Sequence, residues 1–410
     1  MITLEGKDTV AQAPMPAWQS WLRFAALIVP IIALGVFYSW GAVAFVVALI
    51  GCILLHEFGH FLAAKRAGMK VTQFFLFFGP RIWSFRRGET EYGVRLIPLG
   101  AFVKVPGMHN LDPDVDPADE PRTYRAAPYL SRLKMAAAGS LMHFAIALVL
   151  MGIAYAAYGV TTQSKTWKVD KVEVGSPAAS AGLLPGDRVL SYDGRPMVGY
   201  EQFGTYLHNH EGAVVALTIK RGSETLALNP TLGSMSAVDK CRTGGYLGFR
   251  PVTDDPTVKD LSVPGAAQQT FTDFGKTAAG SLGGLGKIMS FSGLKSYGKS
   301  VSSGCGTNER FVSPIGAVKI GSLVAKSGVN NFLLFLAQAN IFIGIINWVP
   351  LLPFDGGHML IATYERIRSR AGKRYVADVS KMMPFAYAIM LLMLVLGLGN
   401  GYLDLFHLNG

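Results

Sequence analysis

The run AVAFVVALIGCILLHEFGHFLAA, Ala42 to Ala64, decides the fold. About 20 mostly apolar residues are enough to cross a bilayer as a helix, and this run qualifies. Near its far end it carries His56, Glu57 and His60. Ionisable groups are costly inside a membrane helix and by default mark function. Residues i and i+4 share one helix face. His56 and His60 can therefore bind one Zn²⁺, with Glu57 as general base toward the water that the metal activates. The bland alternative is a pair of histidines at a helix end near the interface. The depth of the motif within the apolar run argues against it.

Outward from this run, four more segments read as spans: 22–38, 133–158, 331–358 (apolar from Asn331 to Val349) and 385–398. Ser39-Trp40-Gly41 separates the first from the motif span at 41–64; the alternative is a single long bent helix. The stretch 65–132 is strongly basic, with Lys65, Arg66, Lys70, Arg86, Arg87, Arg122, Arg125 and Arg132. The stretch 361–383 carries Arg366, Arg368, Arg370, Lys373, Arg374 and Lys381. The positive-inside rule puts both in the cytoplasm, and 160–330 outside. Residues 1–21 form a polar tail with no cleavable signal.

Composition agrees. Of 410 residues, 50% are hydrophobic and only 16% charged, low in charge for a soluble chain. The net charge of +11 comes from basic residues beside apolar runs, not from an aromatic-interleaved stripe, so the partner is a lipid bilayer and not nucleic acid. Three cysteines, Cys52, Cys241 and Cys305, exclude a Cys-rich zinc ribbon and a dense disulfide framework. Cys241 and Cys305 fall on the oxidising side, where a disulfide persists. Cys52 is expected to stay a buried thiol.

Two segments have strand character. Gln73–Phe78, Arg81–Phe85, Glu91–Leu96 and Gly100–Val105 are short extended runs punctuated by Gly79-Pro80, Arg87-Gly88 and Pro98-Leu99-Gly100, which predicts a hairpin sheet. Residues 164–250 read as an α+β module. Lys168–Val174 alternates as a strand, Asp193-Gly194 is a hairpin turn, Phe203–Asn209 suits a helix, and Gly222-Ser223 joins two strands. Tyr246–Phe249 reads as a last strand. Residues 251–330 read as membrane-surface helices and loops.

A catalytic zinc takes three protein ligands and keeps a position open. Glu89 and Glu91 lie in a turn-rich hairpin and are poor third ligands. Asp355, in NWVPLLPFDGGH from Asn347 to His358, is the best candidate. On local pattern it is a Pro/Asp/Gly turn ending a helix; its co-occurrence with the histidine motif favours ligation. His358 and His143 are rivals.

HExxH in an early span, with N-x-x-P and D-G-G-H at a late one, resembles the site-2 protease family of intramembrane zinc metalloproteases. Phe78-Gly-Pro80, Pro98-Leu-Gly-Ala-Phe102 and Ser313-Pro-Ile-Gly316 resemble that family's loop motifs. The single PDZ-like module brings it closest to actinobacterial members similar to the regulator-of-sigma-E protease. The resemblance implies a polytopic α-helical membrane protein with a cytoplasmic β-hairpin sheet and an extracytoplasmic PDZ-like domain, in the bacterial cytoplasmic membrane. It implies His56, His60 and Asp355 as ligands, Glu57 as base, and Asn347 as the amide that holds the scissile carbonyl or its oxyanion. Leu96, Pro98, Leu99, Gly100, Ala101 and Phe102 would form the substrate edge. Tyr246, Leu247, Gly248 and Phe249 would form the PDZ ligand loop, or the module would act only as a steric filter. Substrates would be single-span proteins such as anti-sigma factors, already trimmed outside. Where the family has Gly-Pro-x-x-Asn, this chain has Gly139-Ser140-Leu-Met-His143, and the first span lies outside the family core. The rival functions are a membrane-anchored protease cutting cytosolic loops and a non-catalytic PDZ scaffold.

Overall fold

The structure, a computed structural model, describes residues 17–108, 115–162, 166–239, 242–254, 257–293, 295–296, 298, 313–369 and 375–406. Two compact units emerge, Met1–Ala154 with Ala267–Gly410, and Tyr155–Ala266. Cys241 and Cys305 lie outside the described residues.

In the first unit α1 (Ala17–Phe37) and α2 (Trp40–Arg66) are separate helices. Ser39 is extended and its hydroxyl accepts the Gly41 amide, so it caps α2 and ends the continuous-helix alternative. β1 (Gln73–Arg87) and β2 (Thr90–Lys104) follow, then α3 (Tyr129–Tyr158). After the second unit come α7 (Val263–Met289), α8 (Pro314–Lys326), α9 (Val329–Asn347), α10 (Asp355–Arg368) and α11 (Met383–Phe406).

Four helices, α2, α3, α9 and α11, are long and apolar enough to cross a membrane. The apolar part of α1 among the described residues, Trp21–Phe37, is shorter than they are, so of the five expected spans four meet that length. The segment 331–358 is not one span. Its helix stops at Asn347, and Asp355 opens a new helix that runs to Arg368 inside the stretch read as the loop 361–383. Residues 348–354, which include Pro350 and Pro353, cannot continue α9. The third span begins earlier than expected, at Tyr129, and the last ends later, at Phe406.

Lipid tails are as apolar as leucine, so packing between membrane helices depends on small residues that let backbones approach. Here Gly59 faces the Ala138 carbonyl, where a Cβ would sit 2.6 Å from that oxygen. Gly321 of α8 faces Phe45 of α2 in the same way. The buried residues of α2, namely Ala42, Phe45, Cys52, His56, Gly59, His60 and Ala64, recur at helical spacing and form one face.

β1 and β2 are each bent, as the Gly-Pro and Pro-Leu-Gly breaks predict. Gly79 and Gly100 take positive φ, 79° and 124°. Residues 73–76 pair on one side with 91–94 and on the other with 101–104, and 83–87 pair with 90–94. The 101–104 run is thus an edge: among the described residues its ladder partners are on one side only.

The second unit contains β3 (Val160–Thr162), β4 (Trp167–Val172), α4 (Pro177–Ser180), β5 (Arg188–Tyr192), β6 (Arg195–Pro196), α5 (Tyr200–His208), β7 (Leu217–Arg221), β8 (Glu224–Leu228), β9 (Gly233–Ser234), α6 (Met235–Val238), β10 (Gly245–Tyr246), β11 (Phe249–Thr253) and β12 (Thr257–Lys259). A four-stranded sheet has the order β6-β5-β7-β8, and β11 pairs with β4. Inward residues of alternating strands, Trp167 and Val169, Leu217 and Ile219, pack with Phe203, Leu207, Val215 and Leu247. Burying each such side chain contributes about 1.5–3 kcal/mol. The expected strand Tyr246–Phe249 is not one strand. It breaks between β10 and β11 at Leu247-Gly248, whose carbonyls accept the Ala178 and Glu173 amides. A Cβ on Gly248, at φ 81°, would strike Ser176. Among residues 251–330, α7 and α8 are helices.

Candidate metal centre

His56 and His60 stand one turn apart on the buried face of α2, and Asp355 is the first residue of α10. The three side chains converge. His56 Nε2 and His60 Nε2 are 3.2 Å apart. Asp355 Oδ2 lies 3.5 Å from the first and 3.3 Å from the second. Ligand atoms at about 2.0–2.1 Å from a tetrahedral zinc are separated by about 3.3 Å. The donors already have that spacing. Asp355 Oδ2 is buried and makes no hydrogen bond, an expensive state for a carboxylate oxygen unless a cation takes it. Among the described residues this is the group of His, Cys, Asp and Glu side chains that can hold a metal ion. Two nitrogens and one oxygen, with a position left over, fit a catalytic zinc.

The surroundings orient the donors. His60 Nδ1–H donates to the Met135 carbonyl of α3 at 2.7 Å, which leaves Nε2 for a metal. Gly139, one turn further along α3, lies against both imidazoles. A Cβ there would be 2.3 Å from His60 Nε2 and 2.5 Å from His56 Cε1. Gly139→Ala is therefore expected to lose zinc and at least about 100-fold in activity, at the upper end of what disturbed ligand surroundings cost. Elemental analysis beside a cleavage assay checks it, and full zinc occupancy in a folded variant would show that the close approach is unimportant.

Glu57 carries its carboxylate to 4.0 Å from His56 Nε2, and the Val103 backbone amide of β2 faces it. The edge run 101–104 thus borders the same centre. Of the expected substrate-edge residues, Ala101 and Phe102 lie on this edge, and Gly100 turns the chain into it. Leu96 and Pro98 lie in the bend before it. The Leu99 side chain is outside the described set. Asn347 is the last residue of α9, half-buried.

His143 and His358 do not belong to the converging donor group. His143 is buried with its ring 4.8 Å from that of His56, but its Nδ1 pairs with Asn340 Oδ1 at 2.7 Å. Asn340 in turn donates to the Leu336 carbonyl and to Cys52 Sγ. Cys52 is a free, buried thiol, as expected. His358 stands edge-on to Tyr124, with ring centroids 6.5 Å apart. Glu89 is held by Arg122 and Lys65, and Arg122 first of all keeps its carboxyl down to about 2. Glu91 pairs with Arg81 and Ser84.

Gly356 and Gly357 stand where a side chain would not fit. Neither takes a positive φ. A Cβ on Gly356 would sit 2.3 Å from the Val349 carbonyl, and one on Gly357 2.7 Å from the Leu352 amide. The glycines let α10 start tight beneath the turn after α9, and that close approach is what sets Asp355 opposite the histidines. Sequence reasoning missed the Met135 carbonyl, the steric role of Gly139 and the Asn340 partner of His143. Backbone carbonyls carry no sequence signal, and Asn340 has no motif of its own.

This centre, with its histidine pair on a helix of membrane-crossing length, defines a site-2-type zinc metalloendopeptidase. The family model described as Peptidase family M50 matches residues 44–392, and the chain belongs to that family. Among curated relatives, zinc metalloprotease Rip1 of Mycolicibacterium smegmatis is 31% identical over 387 residues, covering 86% of this chain and 94% of that protein. Zinc metalloprotease Rip1 of Mycobacterium tuberculosis (H37Rv) is 29% identical over 398 residues with the same coverage. A putative zinc metalloprotease of Nostoc sp. is 30% identical over 327 residues, covering 78% and 84%. A solved PDZ domain of an SdrC-like protein from Listeria monocytogenes is 23% identical, covering 23% of this chain and 94% of that domain at a TM-score of 0.20.

Proposed function

We propose that this enzyme hydrolyses a peptide bond inside the membrane-spanning segment of a single-span protein. His56, His60 and Asp355 hold the zinc, Glu57 is the base, and Asn347 holds the scissile carbonyl. The observation that carries the reading is the depth of the converging donors. At 1.5 Å per residue, His60 and His56 lie about 8 and 14 Å along α2 from Lys65, inward from its basic end. A hydrocarbon core of about 30 Å therefore encloses them.

Zinc held there supplies Lewis acidity toward water and the scissile carbonyl. The rest is the work of this chain. Glu57 takes the proton from the attacking water on its carboxylate and returns it to the leaving nitrogen. The Asn347 amide donates to the developing oxyanion, a large effect in a dry site. A helical substrate must unwind before its carbonyls are exposed. The edge at Ala101–Lys104, bordering Glu57, offers replacement hydrogen bonds by strand addition. The basic stretches favour a cytoplasmic β1–β2 sheet and an extracytoplasmic PDZ-like unit, and the family resemblance favours a bacterial cytoplasmic membrane. Anti-sigma factors trimmed by a first extracytoplasmic cut are the substrate class, and the PDZ-like unit acts as filter or reader, with Tyr246–Phe249 as its ligand loop.

Purified enzyme in liposomes with a tagged single-span anti-sigma segment tests this. Mass spectrometry should place the cut within the span, and a zinc chelator should abolish it. Cuts confined to flanking loops would favour the rival, a protease for cytosolic loops. Deleting about residues 164–250 is expected to allow cleavage of substrates with intact ectodomains, since no proposed zinc or base residue lies there. A folded deletion variant that still rejects them removes the filter.

A further inference from the structure

We propose that Arg132 and Glu365 are positioning residues for the zinc ligands, through a buried ion pair that ties the helix orienting His60 to the helix presenting Asp355. The inference rests on the metal assignment above. Arg132 Nη1 donates to Glu365 Oε2 at 2.5 Å, and the two side chains are only 8% and 6% exposed. Arg132 lies in the first turn of α3. One turn later Met135 offers the carbonyl that holds His60, and one turn after that Gly139 touches both imidazoles. Glu365 lies on α10, ten residues and about 15 Å after Asp355 at its start. The pair thus locks the far end of α10 to the beginning of α3.

The Tyr129 hydroxyl bonds Thr363 Oγ1 at 3.3 Å between the same two helices. Glu365 Oε1 accepts the Ala377 amide at 2.7 Å, and the guanidinium lies 4.7 Å over the Tyr124 ring. Both carboxylate oxygens are therefore committed. The adjoining cavity, lined by Tyr124, Arg132, His358 and Glu365 among others, is about 20 Å³, enough for one water. Separated charges would find little solvent there, so the two helices have one strongly favoured register. Apolar contacts alone permit sliding, and a displacement of about 1 Å at a ligand site is enough to impair it.

The test uses the full-length enzyme and four proteins: wild type, Arg132→Met, the double variant Arg132→Met with Glu365→Leu, and Glu365→Asp. Each is measured for thermal unfolding, zinc affinity by chelator competition, and the visible spectrum of the Co²⁺-substituted protein. Arg132→Met should unfold at lower temperature, because it leaves Glu365 charged and unpaired. The double variant, an apolar pair, should recover that temperature yet bind zinc about 10- to 100-fold more weakly, with a changed Co²⁺ spectrum. Glu365→Asp keeps the charge but shortens the link, and should shift the spectrum with a near-normal unfolding temperature. Wild-type affinity and spectrum in the double variant would reduce the pair to fold stability and overturn the proposal. If the double variant does not fold, an unchanged spectrum in Glu365→Asp overturns it alone. A wild-type protein that binds no zinc would instead remove the metal assignment itself.

Discussion

Glu57→Gln is expected to bind zinc as the wild type does and to hydrolyse substrate about 10²- to 10⁴-fold more slowly. Each decade is about 1.4 kcal/mol of barrier, so the substitution removes roughly 3–5 kcal/mol of transition-state stabilisation. Glutamine has the shape of glutamate, and Glu57 belongs to none of the converging donor contacts between His56, His60 and Asp355. The donor set is therefore left whole. What disappears is a carboxylate 4.0 Å from His56 Nε2 that can accept a proton and return it. Zinc content by elemental analysis, set beside single-turnover cleavage of a tagged span, separates the two effects. Turnover within tenfold of wild type would remove Glu57 as the base, and lost zinc would make it structural.

Asp355→Asn is expected to weaken zinc binding by 100-fold or more, on the order of the largest losses from disturbed ligand surroundings, and to abolish cleavage. Oδ2 is the buried oxygen with no hydrogen bond, 3.3 Å and 3.5 Å from the two imidazole nitrogens. A neutral amide at that position neither offsets the metal's charge nor matches a carboxylate as ligand. His143→Asn is the control. Its Nδ1 pairs with Asn340 and it is not a member of the converging group, and asparagine restores the family pattern there, so zinc and activity should stay within tenfold. Chelator competition on both variants, with His358→Asn beside them, decides the third ligand. Zinc lost from the His143 or His358 variant and kept by Asp355→Asn would reassign it.

The two halves of the centre differed in how openly the sequence displayed them. His56, Glu57 and His60 were legible because their geometry is local: a helix of any tertiary setting puts i and i+4 on one face. The spans were legible because bilayer thickness imposes a length. The strand breaks at Gly79-Pro80 and Pro98-Leu99-Gly100 were legible because proline and glycine restrict or free the backbone where they stand. The helix starting at Asp355 was misread as the end of the span before it. Local pattern gave the same Pro-Asp-Gly signal for an ending and for a beginning. Only the contact of Gly356 and Gly357 with the carbonyls and amides of residues 348–352 distinguishes them.

The sequence alone determined a membrane-crossing chain, a histidine pair with its glutamate, and a β-rich module, since each follows from spacing along a single element. Tertiary structure decided what spacing cannot express. It grouped Asp355, and not His143 or His358, with the two imidazoles, because packing of α10 beneath α9 brings one oxygen to 3.3 Å from His60. It brought Met135 and Gly139 against the imidazoles and the edge at Val103 against Glu57. It also joined Arg132 to Glu365 across 233 residues. Such pairings depend on which helix faces meet, and in a membrane that is set by close contacts at small residues rather than by hydrophobic pattern, which is nearly uniform along every span.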